Sequence, residues 1–405
     1  MRRYVVLSDL TAAARPAAPT IRTRSLAGPF ESFDVHTRSF AAPEPRIEVH
    51  GMSPHDVADI RRKPGVTAIA PIMPTSLIRP LAASAGADVT DVWGIAAVKA
   101  DSSPFTGKGV TVAVLDTGIN KSHPAFAAMV GKIVQKDFTG SGDDDTEGHG
   151  THCAGTVFGA PVDGKRIAIA PGVDKALIGK VLGDKGSGHS DMIFAGIQWA
   201  VEQGAHVISM SLGFDFPGSV TRMTSDGWPV ELATSTSLES YRANLRMFDA
   251  LMQLIKARSA FGFEPVVVAA SGNESKAQVN PDYKIAASLP AAAEGVISVG
   301  ALQRKGDLYE VAPFSNIFPE VSAPGVDIVS ADFHGGLQAL SGTSMACPHV
   351  AGVAALWWEA LTAAGNVRPS GKLVIDKLRG NARADVFAPN VEKDDRGAGL
   401  VTAPQ

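Results

Sequence analysis

The chain has 405 residues, 45% of them hydrophobic, and a net charge of −4. That length suits two or three domains, or one large α/β domain with an appendage. The near-balanced charge excludes a strong basic field for nucleic acid, and the two cysteines, Cys153 and Cys347, are too few for a disulfide framework and read as buried free thiols.

The first element is the strand YVVL, which follows two arginines. Ser8 and Asp9 break its apolar run well short of the roughly 7–15 residues of a secretory core, so no export signal is read. ESFDVHT and RIEVHG read as further strands. SPHDVADIRRKPG reads as a short helix, with Ser53 as its cap, Pro54 in its first turn and Gly65 beyond its end. VTAIAPI is the last strand of a small α+β unit covering residues 1–78. Residues 79–91, rich in Ala, Ser and Gly, read as an exposed linker.

From residue 92 to 405 the pattern changes. VTVAVLD is a continuous apolar run, as expected of a strand covered on both faces. HGTHCAGTVFG and HSDMIFAGIQWAVEQGA read as helices, and KALIGKVL, HVISMSLG, EPVVVAASGN and GVISVGAL as strands. This alternation predicts a three-layer α/β fold, a mostly parallel sheet flanked by helices. Residues 214–262 form a long excursion, read as a loop (FPGSVTRMTSDGWPVE) followed by a helix from Ser237. Surface decoration and an extra wall beside the cleft are equally weighted roles for it. No uncharged apolar stretch reaches the roughly 18 residues of a membrane span. A cytoplasmic protein is expected, with export by another route left open.

In open α/β sheets function sits at the carboxyl ends of the strands. Asp116 ends VTVAVLD, His149 opens a helix in GHGTHCAG, Asn273 follows VVVAAS, and Ser344 lies at a strand-to-helix turn in SGTSMACPHVAG. Serine is a weak nucleophile that needs an adjacent base, histidine is that base, and a carboxylate fixes the imidazole tautomer. A side-chain amide and a helix-start N–H can stabilise an oxyanion. The DTG after Leu115 also occurs in aspartic proteases, but an all-β chain with a second such motif is not present. His149 and His152 lack the spacing of a zinc helix motif, and His152 reads as a packed helix residue.

At these motifs the sequence resembles the subtilisin-like serine protease family. AVLDTGINKSHP, GHGTHCAGT, SMSLG, AASGNE and SGTSMACPHVAG carry the resemblance, from about residue 93 onward. It implies Asp116, His149 and Ser344 as the catalytic triad and Asn273 as the oxyanion side chain. Gly186, Ser187 and Gly188 are implied as one wall of the substrate cleft, and Ser211, Leu212 and Gly213 as the other. An extended peptide would add as a strand between them. Ala270, Ser271 and Gly272 are implied at the rim of the pocket for the residue before the cleaved bond, with Ser288 at its back. Leu289–Pro290 is implied to be a cis peptide.

The resemblance further implies that residues 1–78 are a propeptide-like, ferredoxin-like inhibitor domain. Its tail near Leu77 and Ile78 would lie in the cleft, with self-cleavage near residues 76–80. The chemistry implies a peptide or protein substrate and needs no cofactor or catalytic metal. Structural calcium is left open, since VFGAPVDGKRIAIAP is shorter than the loop of relatives with a tight calcium site. Two rivals use the same site: a latent protease-fold binding protein, and a peptide ligase or cyclase.

Overall fold

The computed structural model describes residues 1–13, 42–82, 91–262, 264–365 and 369–405. The ESFDVHT strand and most of the predicted linker lie outside the described residues. Among the described residues, the N-terminal unit is a three-stranded antiparallel sheet, in which β1 (Arg2–Asp9) pairs with β2 (Pro45–Met52) on one side and β3 (Val66–Pro71) on the other. Between β2 and β3 runs helix α1 (Pro54–Ile60). Its capping box is complete: Ser53 Oγ accepts from Asp56 N–H, and the Asp56 carboxylate accepts from Ser53 N–H at 2.8 Å.

After β3 the chain enters a short strand, β4 (Pro74–Leu77), and a two-residue strand, β5 (Leu81–Ala82). Part of the predicted linker is therefore paired strand. The peptidase-like region is built on β6 (Thr111–Asp116), β7 (Ile133–Asp137), β8 (Lys175–Lys180), β9 (Ser187–His189), β10 (Val207–Met210), β11 (Leu212–Phe214), β12 (Val266–Ala270) and β13 (Val296–Lys305). Strands β14 (Leu308–Val311), β15 (Val321–Pro324), β16 (Ile328–Ala331) and β17 (Leu337–Ser341) follow. The central sheet has eight strands in the order β14-β13-β12-β10-β6-β8-β7, with β15 also on β13. Among the described strands of this sheet, β14 alone runs antiparallel to its neighbour.

The apolar strands are covered on both faces, as their sequences require. Val112 and Val114 of β6 pack in one cluster with helices α2 (His149–Phe158) and α6 (Thr343–Ala364). Ala113 and Leu115 face the other way, toward helices α3 (Ser190–Glu202) and α5 (Val230–Ala257). This two-residue alternation places α2 and α6, which carry His149 and Ser344, side by side on one face.

The excursion at 214–262 departs from the sequence reading. FPGSVTRMTS is helix α4 (Phe216–Ser225) rather than a loop, and α5 starts at Val230 rather than Ser237. Asp215 caps α4 by accepting from Gly218 N–H at 2.8 Å, and Pro217 sits in the first turn. Helix α4 buries no residue, so no apolar periodicity announced it. Helix α5 has a partner that neither expected role named. It packs on the N-terminal unit, where Asn244 Nδ2 donates to Pro71 O at 2.8 Å and Arg2 donates to Ser240 Oγ at 2.6 Å.

Candidate active site

Asp116 is the last residue of β6, and His149 is the first residue of α2. Two glycines explain how they meet. Gly148 caps α2 with φ 89°, which a side chain disfavours. A Cβ on Gly150 would lie 2.2 Å from Gly118 O, so only glycine lets α2 approach the turn after β6. Asp145 fixes the same turn: its Oδ1 accepts from Glu147 and Gly148 N–H, and its Oδ2 from Thr151. The result is a buried hydrogen bond of 2.8 Å between His149 Nδ1 and Asp116 Oδ1. His149 Nε2 and Asp116 Oδ2 are buried without hydrogen-bond partners among the described residues.

Burial opposes the His149 imidazolium, but the Asp116 charge and hydrogen bond outweigh it, holding the pKa well above the ordinary histidine value. His152 is different. Burial pushes it down to about 3, and its Nε2 bonds to Ile328 O at 3.0 Å, so it is a packed structural residue. Cys153 and Cys347 are buried and free, with burial raising both thiols, Cys347 to about 12. Asp116, His149 and Cys153 bring potential metal ligand atoms within 4.8 Å of one another. Two of these atoms, His149 Nδ1 and Asp116 Oδ1, already bond each other at 2.8 Å.

Ser344 is the second residue of α6. Its Oγ donates to Ile78 O at 3.1 Å and lies 3.4 Å from Ser211 O. Asn273 follows β12, and its Oδ1 accepts from both Thr343 N–H and Thr343 Oγ at 2.9 Å. That pair fixes the amide orientation and turns Nδ2 toward the cleft, where it donates to Arg79 O at 3.0 Å. Thr343 was not singled out from the sequence, although it directly precedes Ser344. Asn316 was also missed. Its Oδ1 accepts from Glu274 and Ser275 N–H while its Nδ2 donates to Ser271 O, shaping the Ser271–Gly272 rim.

Both predicted walls are strands, and the occupant between them is the chain's own segment. β4 pairs antiparallel with β9, matching Thr75 with Gly188 and Ser76 with Ser187. It also pairs antiparallel with β11, matching Leu77 with Leu212 and Ser76 with Gly213. Leu77 N–H donates to Gly186 O at 2.7 Å. Ser211 is buried behind this wall, its Oγ donating to Ser344 O. A Cβ placed on Gly213 would lie 3.5 Å from both Ile78 Cγ1 and Ser288 Oγ, which puts Ser288 beside the buried Ile78 side chain. Ala270 ends β12, Ser271 N–H bonds to Val299 O, and Gly272 N–H donates to Thr343 Oγ, forming the opposite rim. The Leu289–Pro290 peptide is cis.

A parallel α/β sheet with an aspartate, a histidine, a serine and an amide at one edge, crossed by an extended peptide, defines a peptidase-type cleft. Residues 107–381 match the model of the subtilase family. The chain is 33% identical over 339 residues to a subtilisin of Bacillus sp. (strain TA39), covering 76% of this chain and 71% of that one. It is 36% identical over 272 residues to subtilisin DY of Bacillus licheniformis, covering 65% and 83%. It is 35% identical over 258 residues to an intracellular serine protease of Paenibacillus polymyxa, covering 62% and 67%. The chain belongs to the subtilase family and is a subtilisin-like serine endopeptidase. No helix among the described residues is long and apolar enough to cross a membrane.

Proposed function

We propose that Asp116, His149 and Ser344 are the catalytic triad, and that the chain is made as a zymogen inhibited by its own N-terminal unit. Ser344 Oγ attacks the carbonyl carbon of the residue seated where Ile78 lies, and its proton passes to His149 Nε2. The C–N bond breaks as His149 returns that proton to the leaving amine, giving an acyl-enzyme that water hydrolyses by the same route. Asn273 Nδ2 and the Ser344 N–H stabilise the oxyanion. The chemistry needs no cofactor. The observation that carries this reading is the Ile78 carbonyl lying 3.1 Å from Ser344 Oγ at the end of a strand held by both cleft walls. The deciding experiment is fluorophosphonate labelling with intact-mass analysis. Label on Ser344 in wild type that has lost residues 1–78, and none in Ser344→Ala, supports the reading; wild type freed of residues 1–78 that stays unlabelled overturns it.

Two further results are expected. Asn273→Ala lowers kcat by about 10²–10³ and moves KM much less, because Nδ2 leaves the carbonyl it holds in the ground state, Arg79 O here, for the oxyanion in the transition state. A change in KM alone would make Asn273 a ground-state binding group. The second concerns pH. The base must be neutral to accept the Ser344 proton, and the His149 pKa is raised above its ordinary value of 6.5. The acid limb of kcat/KM is therefore expected above pH 6.5, activity falling as pH drops through it. A limb below pH 6.5 in the pH–rate profile would contradict this assignment.

In the zymogen reading the N-terminal unit is clamped at several points. Arg3 pairs with Asp191 at 3.0 Å, Ile47 N–H donates to Gln198 Oε1 at 2.8 Å, and Met73 exchanges two bonds with Ser190. Val5, Leu7, Ala70, Met73 and Leu77 share one buried apolar cluster with Phe194 and Phe248 of the peptidase region. The serine hydroxyl is turned to the Ile78 carbonyl, so attack requires it to rotate to His149. In the stretch VFGAPVDGKRIAIAP, Arg166 donates to the Ala168 and Ile169 carbonyls.

A further inference from the structure

We propose that Glu147 is a specificity-determining residue that selects a cationic side chain on the residue following the cleaved bond. The inference rests on the proposed function, with Ile78–Arg79 lying as the bond presented to Ser344. Arg79 is then the first residue on the leaving side. Its main chain is fixed at two points: Asn273 Nδ2 donates to its carbonyl at 3.0 Å, and two residues later Leu81 pairs with Ser341 of β17. With the backbone set, the guanidinium lies against Glu147 on one side and the Lys185 carbonyl on the other. One guanidinium nitrogen lies 3.8 Å from Glu147 Oε1, and the other donates to Lys185 O at 3.5 Å.

Glu147 is suited to select rather than merely to decorate. Its backbone N–H is held by Asp145 Oδ1 at 3.0 Å, in the same turn that presents His149. Two neighbouring carboxylates have other work: Asp145 organises the turn, and Asp184 binds the buried Lys180 ammonium at 2.7 Å. The Glu147 side chain is 27% exposed and the Arg79 side chain 72%. A partly exposed pair of this kind gives modest discrimination. Attraction of arginine combined with repulsion of glutamate amounts to about three- to tenfold in kcat/KM.

The test is internal competition on the full chain. Two peptides, Pro-Thr-Ser-Leu-Ile-Xaa-Ala-Ala with Xaa as Arg or Glu, are mixed at equal concentration below KM, and products are counted by mass spectrometry. Their ratio reports relative kcat/KM and does not depend on how much enzyme is unlocked or folded. The wild type is expected to favour Arg about three- to tenfold, less at high salt. Glu147→Gln should level the ratio, and Glu147→Lys should invert it. A ratio of one in the wild type, an unchanged ratio in Glu147→Gln, or cleavage elsewhere than Ile–Xaa overturns the inference while leaving the active site standing. If enzyme freed of residues 1–78 cuts neither peptide and fluorophosphonate leaves its Ser344 unlabelled, the proposed site falls, and this inference with it.

Discussion

Replacing Ser344 by alanine is expected to lower kcat by about 10⁴ or more and to leave the Ile78–Arg79 peptide bond uncut. The serine occupies the second position of α6, where its Oγ reaches the Ile78 carbonyl at 3.1 Å. Without Oγ there is nothing for His149 to activate, and hydrolysis falls to what the oxyanion donors and the cleft support alone. His149→Ala and Asp116→Asn should fall by similar factors. The losses should not add, because the three groups act on one proton. In Asp116→Asn the amide NH2 can donate to Nδ1, which favours the wrong tautomer, and the charge that stabilises the imidazolium is gone. Steady-state kinetics on single and double variants, with intact mass of each, measure all of this. Near-normal turnover in Ser344→Ala would exclude the proposed nucleophile.

Much of the fold could be read from the sequence because its main signals are local. The β6 run VTVAVLD is apolar throughout since both faces are covered, and the glycines around His149 mark the close approach to Gly118. The capping residues of α1 carry their own signature. What escaped depends on tertiary partners. Helix α4 buries nothing, so its polar sequence resembles a loop. Strand β5 is two residues in an Ala- and Ser-rich stretch, and it is a strand only because β17 lies alongside. The orienting roles of Thr343 and Asn316 exist only once β12 and α6 are side by side. Helix α5 could be counted as a helix from its periodicity, but its docking to β3 required the assembled surface.

The second large effect is expected at the other side of the same contact. One self-cleavage should follow Ile78, and the released fragment 1–78 should inhibit the remaining chain in trans. Ile78→Asp should weaken that inhibition by about 100-fold or more. Ile78 and Leu77 are both buried in the complex, and burying each apolar side chain is worth about 1.5–3 kcal/mol. A carboxylate in the Ile78 pocket forfeits that gain and adds the cost of an unpaired buried charge, so a loss of about 3 kcal/mol, or two decades of affinity, is a lower bound. The same packing predicts a folding role. A chain beginning at Asp91 lacks Val5, Leu7, Ala70 and Met73, leaving the cluster around Phe194 and Phe248 uncovered. That chain should refold from denaturant in poor yield, and adding fragment 1–78 should raise the yield while suppressing activity. Refolding yield and inhibition constants for wild-type and Ile78→Asp fragments measure both effects. If the Asp91 chain folds well, is fully active and ignores the fragment, the N-terminal unit is a docking domain and not an inhibitor.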